Sequence, residues 1–179
     1  MWHTDDQDLP YGESPVLDLY AGATGVVLAL DALRRRGHAD STIDLADAVL
    51  RALELSANEP EPFSLFFGET GTLTFAYRLA PSGELADRLF ARVRENTHNE
   101  ANEVMFGAPG TMLAAQAMHA WTGEQRWRDA WSESADELRR RQDADGLWSQ
   151  LLSGHSTRYL GPAHGAVGNV HALLQGEPA

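Results

Sequence analysis

The chain contains no cysteine. That excludes a disulfide framework, and it excludes any thiolate ligand of the chain's own for a structural zinc. Positive charge is also scarce. Fourteen Lys+Arg face 26 Asp+Glu, for a formal net charge of -12, and such an excess repels phosphate backbones and anionic lipid within a Debye length. Nucleic acid is therefore not an expected partner. No apolar run approaches the roughly 20 residues that cross a bilayer, so membrane insertion is not expected either. The opening stretch MWHTDDQDLPYGESP has neither the basic n-region nor the apolar core of a secretory leader. Taken with the missing cysteines, these absences point to a cytoplasmic protein. Period-two apolar alternation is rare as well, which leaves an all-α reading.

What the sequence has is repetition. Four segments align: LDLYAGATGVVLALDAL (17–33), FSLFFGETGTLTFAYRL (63–79), NEVMFGAPGTMLAAQAM (102–118) and RYLGPAHGAVGNVHALL (158–174). Each carries Gly-x-x-Gly, at Gly22/Gly25, Gly68/Gly71, Gly107/Gly110 and Gly165/Gly168, followed by about two turns of apolar residues. First glycines lie 46, 39 and 58 residues apart, a length that fits a pair of helices.

The intervening stretches supply the second helix of each pair. Leu45, Ala46, Val49 and Leu53 form a stripe at helical spacing, with Asp44, Asp47, Arg51 and Glu54 largely opposite. Leu85, Ala86, Leu89, Phe90 and Val93 repeat that pattern behind Ser82, a capping residue. Thr122 and Gln125 offer a capping box ahead of Trp127, Trp131 and Leu138. Turn chemistry marks loops at Ala80-Pro81-Ser82-Gly83, at 57–62 (ANEPEP) and at 143–146 (DADG). Helices after Gly-x-x-Gly are apolar nearly all round and those between are polar on one face, so an inner and an outer layer are predicted. Arg34-Arg35-Arg36 and Arg139-Arg140-Arg141 each follow an apolar run, as cations at helix C-termini do. Trp127, Trp131 and Trp148 are read as packing residues.

Glycine ahead of an inner helix permits a close backbone approach that a Cβ would block. Four such junctions in register place four helix N-termini at one end of the assembly, where their free N–H groups favour an anionic or polar ligand. No Gly-Lys-Ser/Thr follows, so these are not phosphate loops. The intervening pairs Ala-Thr, Glu-Thr, Ala-Pro and Ala-Val carry no cation, so they do not clamp nucleic acid.

These repeats, with NEVMFGAPGTMLAA, GLWSQ (146–150) and YLGPAHGAVGN, resemble the lanthionine synthetase C-like (LanC-like) family from about Leu17 to Leu174. The resemblance implies an α/α toroid of inner and outer helical hairpins, here incomplete, with about four of seven hairpins in one partial domain spanning 1–179. It also implies an activity. Bacterial members add a peptide cysteine to dehydroalanine or dehydrobutyrine, and eukaryotic relatives add glutathione to similar residues, so peptide substrate or glutathione are the implied partners. In the complete family, zinc held by two cysteines and a histidine from later hairpins activates the thiol. This chain has none of those cysteines, so no metal ligand is assigned to it and it is expected to be inactive alone.

His164 matches the family's Ala-His-Gly histidine, which lies near the zinc-bound thiol as an acid or base. Glu103 matches an acidic residue four positions before the third repeat's first glycine, and is taken with His164 as catalytic. Asp18 sits at the same offset in the first repeat, and Arg158 precedes the fourth on a loop where it could receive a substrate carboxylate; both are substrate-binding candidates. Michael addition needs a thiolate and then a proton on the enolate carbon, a transfer that imidazole suits. The bland alternative for His164 is a helix-start histidine bonded to a carbonyl. His171 lies seven residues on and within about 20° of the same face, but no third ligand accompanies it.

Other readings stay open. An open half-toroid could be a binding module, self-associating through its apolar inner face. A sugar-processing α/α toroid would need Glu103 and Asp18 within about 10 Å. The sequence ends, at ALLQGEPA, just as the fourth inner helix begins and without its outer partner, from which truncation is expected.

Overall fold

The computed structural model describes residues 15–56 and 63–176. Among them are seven helices and one small hairpin: α1 (Ala23–Arg35), α2 (Leu45–Ser56), α3 (Glu69–Leu79), α4 (Gly83–Asn96), α5 (Ala108–Thr122), α6 (Gln125–Arg140), β1 (Gln150–Leu152), β2 (His155–Thr157) and α7 (Ala166–Gln175). The architecture is all-α. The helices that follow Gly-x-x-Gly, α1, α3, α5 and α7, pack in chain order against one another, while α2, α4 and α6 lie beside them as a second layer.

The amphipathic stripes account for that layering. On α2 the buried side is Leu45, Val49, Ala52 and Leu53. On α4 it is Ala86, Leu89 and Val93, and on α6 Trp127, Ala130, Trp131, Ala135 and Leu138. The inner helix α5 instead buries side chains on most of its circumference, from Pro109 and Met112 to Met118. Trp127, Trp131 and Trp148 are all buried in the core. Two of the indoles tie elements together: Trp131 Nε1 on α6 donates to the Ala172 carbonyl of α7 at 3.2 Å, and Trp148 Nε1 to that of Leu138 on α6 at 2.7 Å.

Helix ends follow local chemistry in most places. Ser82 Oγ accepts from the Leu85 N–H at 3.2 Å and caps α4. Arg34 and Arg35 end α1, and Arg139 and Arg140 end α6. The expected capping box at Thr122 and Gln125 does not form. Gly123 closes α5 in the left-handed region at φ 69°, so Thr122 is still helical and Glu124 takes the N-cap of α6. The 143–146 loop is present, turning on Gly146 at φ 82°, whereas the 57–62 loop lies outside the described residues. The hairpin β1–β2 is an addition to the all-helical expectation. Its strands have three residues each, too few for alternation to register.

Successive repeats interlock through the second glycine of each loop. A Cβ on Gly25, Gly71, Gly110 or Gly168 would run into the carbonyl oxygen six residues earlier, that of Leu19, Leu65, Val104 or Pro162. The side chain at that same place then packs onto the next repeat. Leu19 Cβ comes within 2.9 Å of where a Cβ on Gly71 would stand, and Leu65 Cβ within 3.3 Å of the one on Gly110. The loops thereby collect at one end of the helices. Tyr20 donates its N–H to the Phe66 carbonyl at 3.0 Å, and Val104 to that of Ala163 at 3.3 Å.

Candidate functional site

Each of the first three loops is closed by the side chain four positions before its first glycine. Asp18 Oδ1 accepts from the Ala21 N–H at 2.7 Å, Ser64 Oγ from Phe67 at 3.1 Å, and Glu103 Oε1 from Phe106 at 2.6 Å. In the fourth loop the place falls to Gly161, which has no side chain to offer. Glu103 is long enough to do more. Its Oε2 accepts from the Met105 N–H at 3.0 Å and meets Nδ1 of His164, one repeat on, at 2.9 Å.

Glu103 is wholly buried, whereas the His164 side chain is 41% exposed. The pair therefore runs from the interior to the surface. A carboxylate can only accept, so the bond assigns the imidazole proton to Nδ1 and leaves Nε2 as the nitrogen without a protein partner among the described residues. That arrangement can take up a proton at Nε2 and release it there, with the carboxylate stabilising the imidazolium in between.

Rings flank the imidazole. Phe106 stacks on His164 with centroids 6.1 Å apart and planes at 26°, and Tyr159 lies on it at 6.4 Å, tilted by 57°. Phe106 is itself stacked on Phe67 at 4.9 Å and 15°, and Phe67 meets Tyr20 at 5.1 Å. One ring from each loop thus joins a continuous row ending at His164.

The backbone beneath the pair is fixed from several sides. Arg141, at the end of α6, donates to the carbonyls of Asn99 at 2.6 Å and His98 at 2.9 Å and to Asn102 Oδ1 at 3.1 Å. It also binds Glu137 at 2.6 Å. Hydrogen bonds from Arg140 first and Arg141 next hold the Glu137 carboxyl at about 2, well below its ordinary range. Asn169 Nδ2, buried on α7, donates to the Asn102 carbonyl at 2.8 Å. Gln150 Oε1 accepts the Tyr159 N–H at 2.8 Å and so ties β1 to the fourth loop.

Of the four residues singled out from sequence, the structure brings Glu103 and His164 together. It does not join the other two to them. Arg158 is engaged by both oxygens of Asp145, at 2.6 and 2.7 Å, and faces Asp143 at 3.5 Å; that hydrogen bond lowers the Asp145 carboxyl below its ordinary value. Asp18 closes its own loop beneath Tyr20. Sequence reasoning missed Phe106, Arg141, Gln150 and Asn169. For Phe106 a signal existed: the position before each first glycine reads Ala21, Phe67, Phe106, His164.

A cavity of about 760 Å³ between α2 and α4, lined by Leu50, Leu53, Leu85 and Arg88 among others, shares no residue with the pair. Among the described residues no three His, Cys, Asp or Glu side chains converge as metal ligands would. With no cysteine anywhere in the sequence, the donors present do not fit a thiolate-ligated zinc. No described helix is long and apolar enough to cross a membrane.

Comparison with known proteins agrees with the repeats. No curated protein matches the chain. The family model described as lanthionine synthetase C-like protein matches residues 15–178, a span that holds all four glycine loops and both members of the pair. The chain belongs to the lanthionine synthetase C-like family, whose fold is a helical toroid.

Proposed function

We propose that this chain supplies the proton-transfer half of a thiol addition to dehydroalanine or dehydrobutyrine in a peptide. The observation that carries the reading is the 2.9 Å hydrogen bond between buried Glu103 and half-exposed His164. In the addition, sulfur bonds to the β-carbon, the carbon–carbon double bond opens, and a proton ends on the α-carbon. His164 Nε2 takes up one proton, from the thiol or, where the thiol is already a thiolate, from water, and delivers it to the α-carbon, so the ring finishes as it began. Glu103, buried and spent on two backbone N–H groups and the imidazole, is a positioning residue that fixes the tautomer. Its burial also removes it as a partner for Asp18 across a glycosidic bond.

The chain has no cysteine for the zinc of the complete family, so the thiol arrives already ionised, loses its proton to His164, or is activated by groups outside these 179 residues. Peptide cysteine and glutathione are the candidate nucleophiles, and both fit a reducing, cytoplasmic setting. The test mixes the chain with a dehydroalanine peptide and glutathione at mildly alkaline pH and follows the thioether by mass spectrometry. The inactivity expected of the chain alone comes from the missing thiol activation, which alkaline pH supplies in its place, so the expected result is formation faster than in the protein-free mixture, with His164→Ala returning it to that background. Equal rates for the two proteins overturn the assignment.

A second reading, a non-catalytic module that self-associates, is favoured by one observation. Tyr20, Val26, Val167, Val170 and Leu174 are exposed apolar residues of the loops and inner helices. Sedimentation velocity separates the two: concentration-dependent dimerisation that Val167→Glu abolishes supports self-association, and a monomer at all concentrations excludes it.

A further inference from the structure

We propose that Phe106 is the residue that positions His164, its ring setting the plane of the imidazole and its N–H holding the carboxylate that sets the tautomer. The inference rests on the reading of His164 as a proton carrier and names what makes the ring fit for that task. Two constraints define an imidazole's orientation. One is which ring nitrogen faces the carboxylate, fixed by the bond from Nδ1 to Glu103. The other is the tilt of the plane, which a single hydrogen bond leaves free.

Phe106 supplies the second constraint and secures the first. Its ring lies along the imidazole at 26°, while its N–H reaches Glu103 Oε1 at 2.6 Å. Phe106 cannot turn aside, because Phe67 backs its ring and its carbonyl accepts two side-chain amides, Asn96 Nδ2 at 3.1 Å and Asn99 Nδ2 at 3.2 Å. Asn96 is buried, and the two asparagines are joined, Asn99 Nδ2 donating to Asn96 Oδ1 at 2.9 Å. The register of the repeats explains the arrangement. His164 stands at the position that Phe67 and Phe106 occupy in their own loops, so the imidazole takes the last place in a stack that the earlier repeats build from phenyl rings.

Nuclear magnetic resonance of the ring nitrogens and carbons of His164 tests this without peptide or thiol, so it can fail or succeed independently of the thiol-addition reading. In the wild type the Nδ1–H tautomer predominates, and the ring protons of His164 shift upfield beside the Phe106 face and show cross-relaxation to it. Phe106→Leu keeps the apolar bulk and removes the π face. The backbone N–H on Glu103 stays in place, so the Nδ1–H tautomer is expected to persist, while the upfield shift of the His164 ring protons is lost and ring mobility increases. Phe106→Tyr restores both readouts. A Phe106→Leu protein that melts at a lower temperature but keeps the wild-type ring mobility of His164 overturns the proposal, since a purely structural role predicts that. Should Phe106→Leu not fold, Phe67→Leu decides: a smaller change in the same direction supports the stack, and an unchanged His164 refutes it.

Discussion

Val104 of the third repeat rests on Gly168 of the fourth. A Cβ placed on Gly168 would stand 2.6 Å from Val104 Cγ2 and nearer still to the Pro162 carbonyl oxygen. Val104 follows Glu103 in the chain, and Gly168 opens the second turn after His164, so this contact sets how closely the two loops approach. Gly168→Ala is accordingly expected to cost about 1–3 kcal/mol or more through overpacking against backbone that cannot yield. Urea denaturation measures it. Gly83→Ala, at an N-terminal position of α4 where a Cβ meets nothing within 4 Å, should leave stability nearly unchanged and serves as the control.

Glu103→Gln keeps the shape of the side chain but replaces one acceptor oxygen with an NH2 group. The carboxylate now satisfies Met105, Phe106 and His164, and the amide leaves at least one of these donors facing another donor in a buried site. The expected loss is about 1–3 kcal/mol of stability. It should come with a shift of the His164 proton toward Nε2, which nitrogen chemical shifts report.

Acid stability carries the signature of Glu137. Its folded value of about 2 lies below the ordinary 4.5, so its pairing with Arg140 and Arg141 contributes stability in full above about pH 4.5. That contribution is lost as pH falls from there toward 2. The stability gap between wild type and Glu137→Gln, measured by denaturant titration, should be constant from about pH 7 to 5 and narrow steadily below that. A gap that does not change with pH would refute the assignment. Because Arg141 also holds the 98–102 loop ahead of Glu103, the same titration should loosen that loop, visible as faster amide exchange at Asn99 and Asn102.

Much of the fold was legible because its signals are local. Gly-x-x-Gly marks the start of each inner helix, three-to-four spacing marks the stripes of α2 and α4, and Ser82 announces a cap that forms. Where neighbouring signals competed, the reading failed. Thr122 looks like an N-cap, yet Gly123 ends α5 one residue later with a left-handed turn that only the backbone reveals. The site was half legible. His164 and Glu103 came from the family motif, but their 61-residue separation hides the hydrogen bond between them. Nothing in composition said that Glu103 is buried. Arg158 reads as a free cation in sequence, although Asp145, thirteen residues earlier, holds it. Phe106 went unnoticed because it reads as another core phenylalanine until the four loops are laid over one another.

Gly161 gives the arrangement its most distinctive consequence. In the first three loops the brace is internal, a side chain holding its own loop, but the histidine loop has no such brace and borrows one from the preceding repeat. The carboxylate and the imidazole therefore belong to different building blocks, and the 2.9 Å bond between them crosses the joint where the third repeat meets the fourth. The histidine of the fourth loop is thus oriented by the docking of two repeats, where the earlier loops are each held from within.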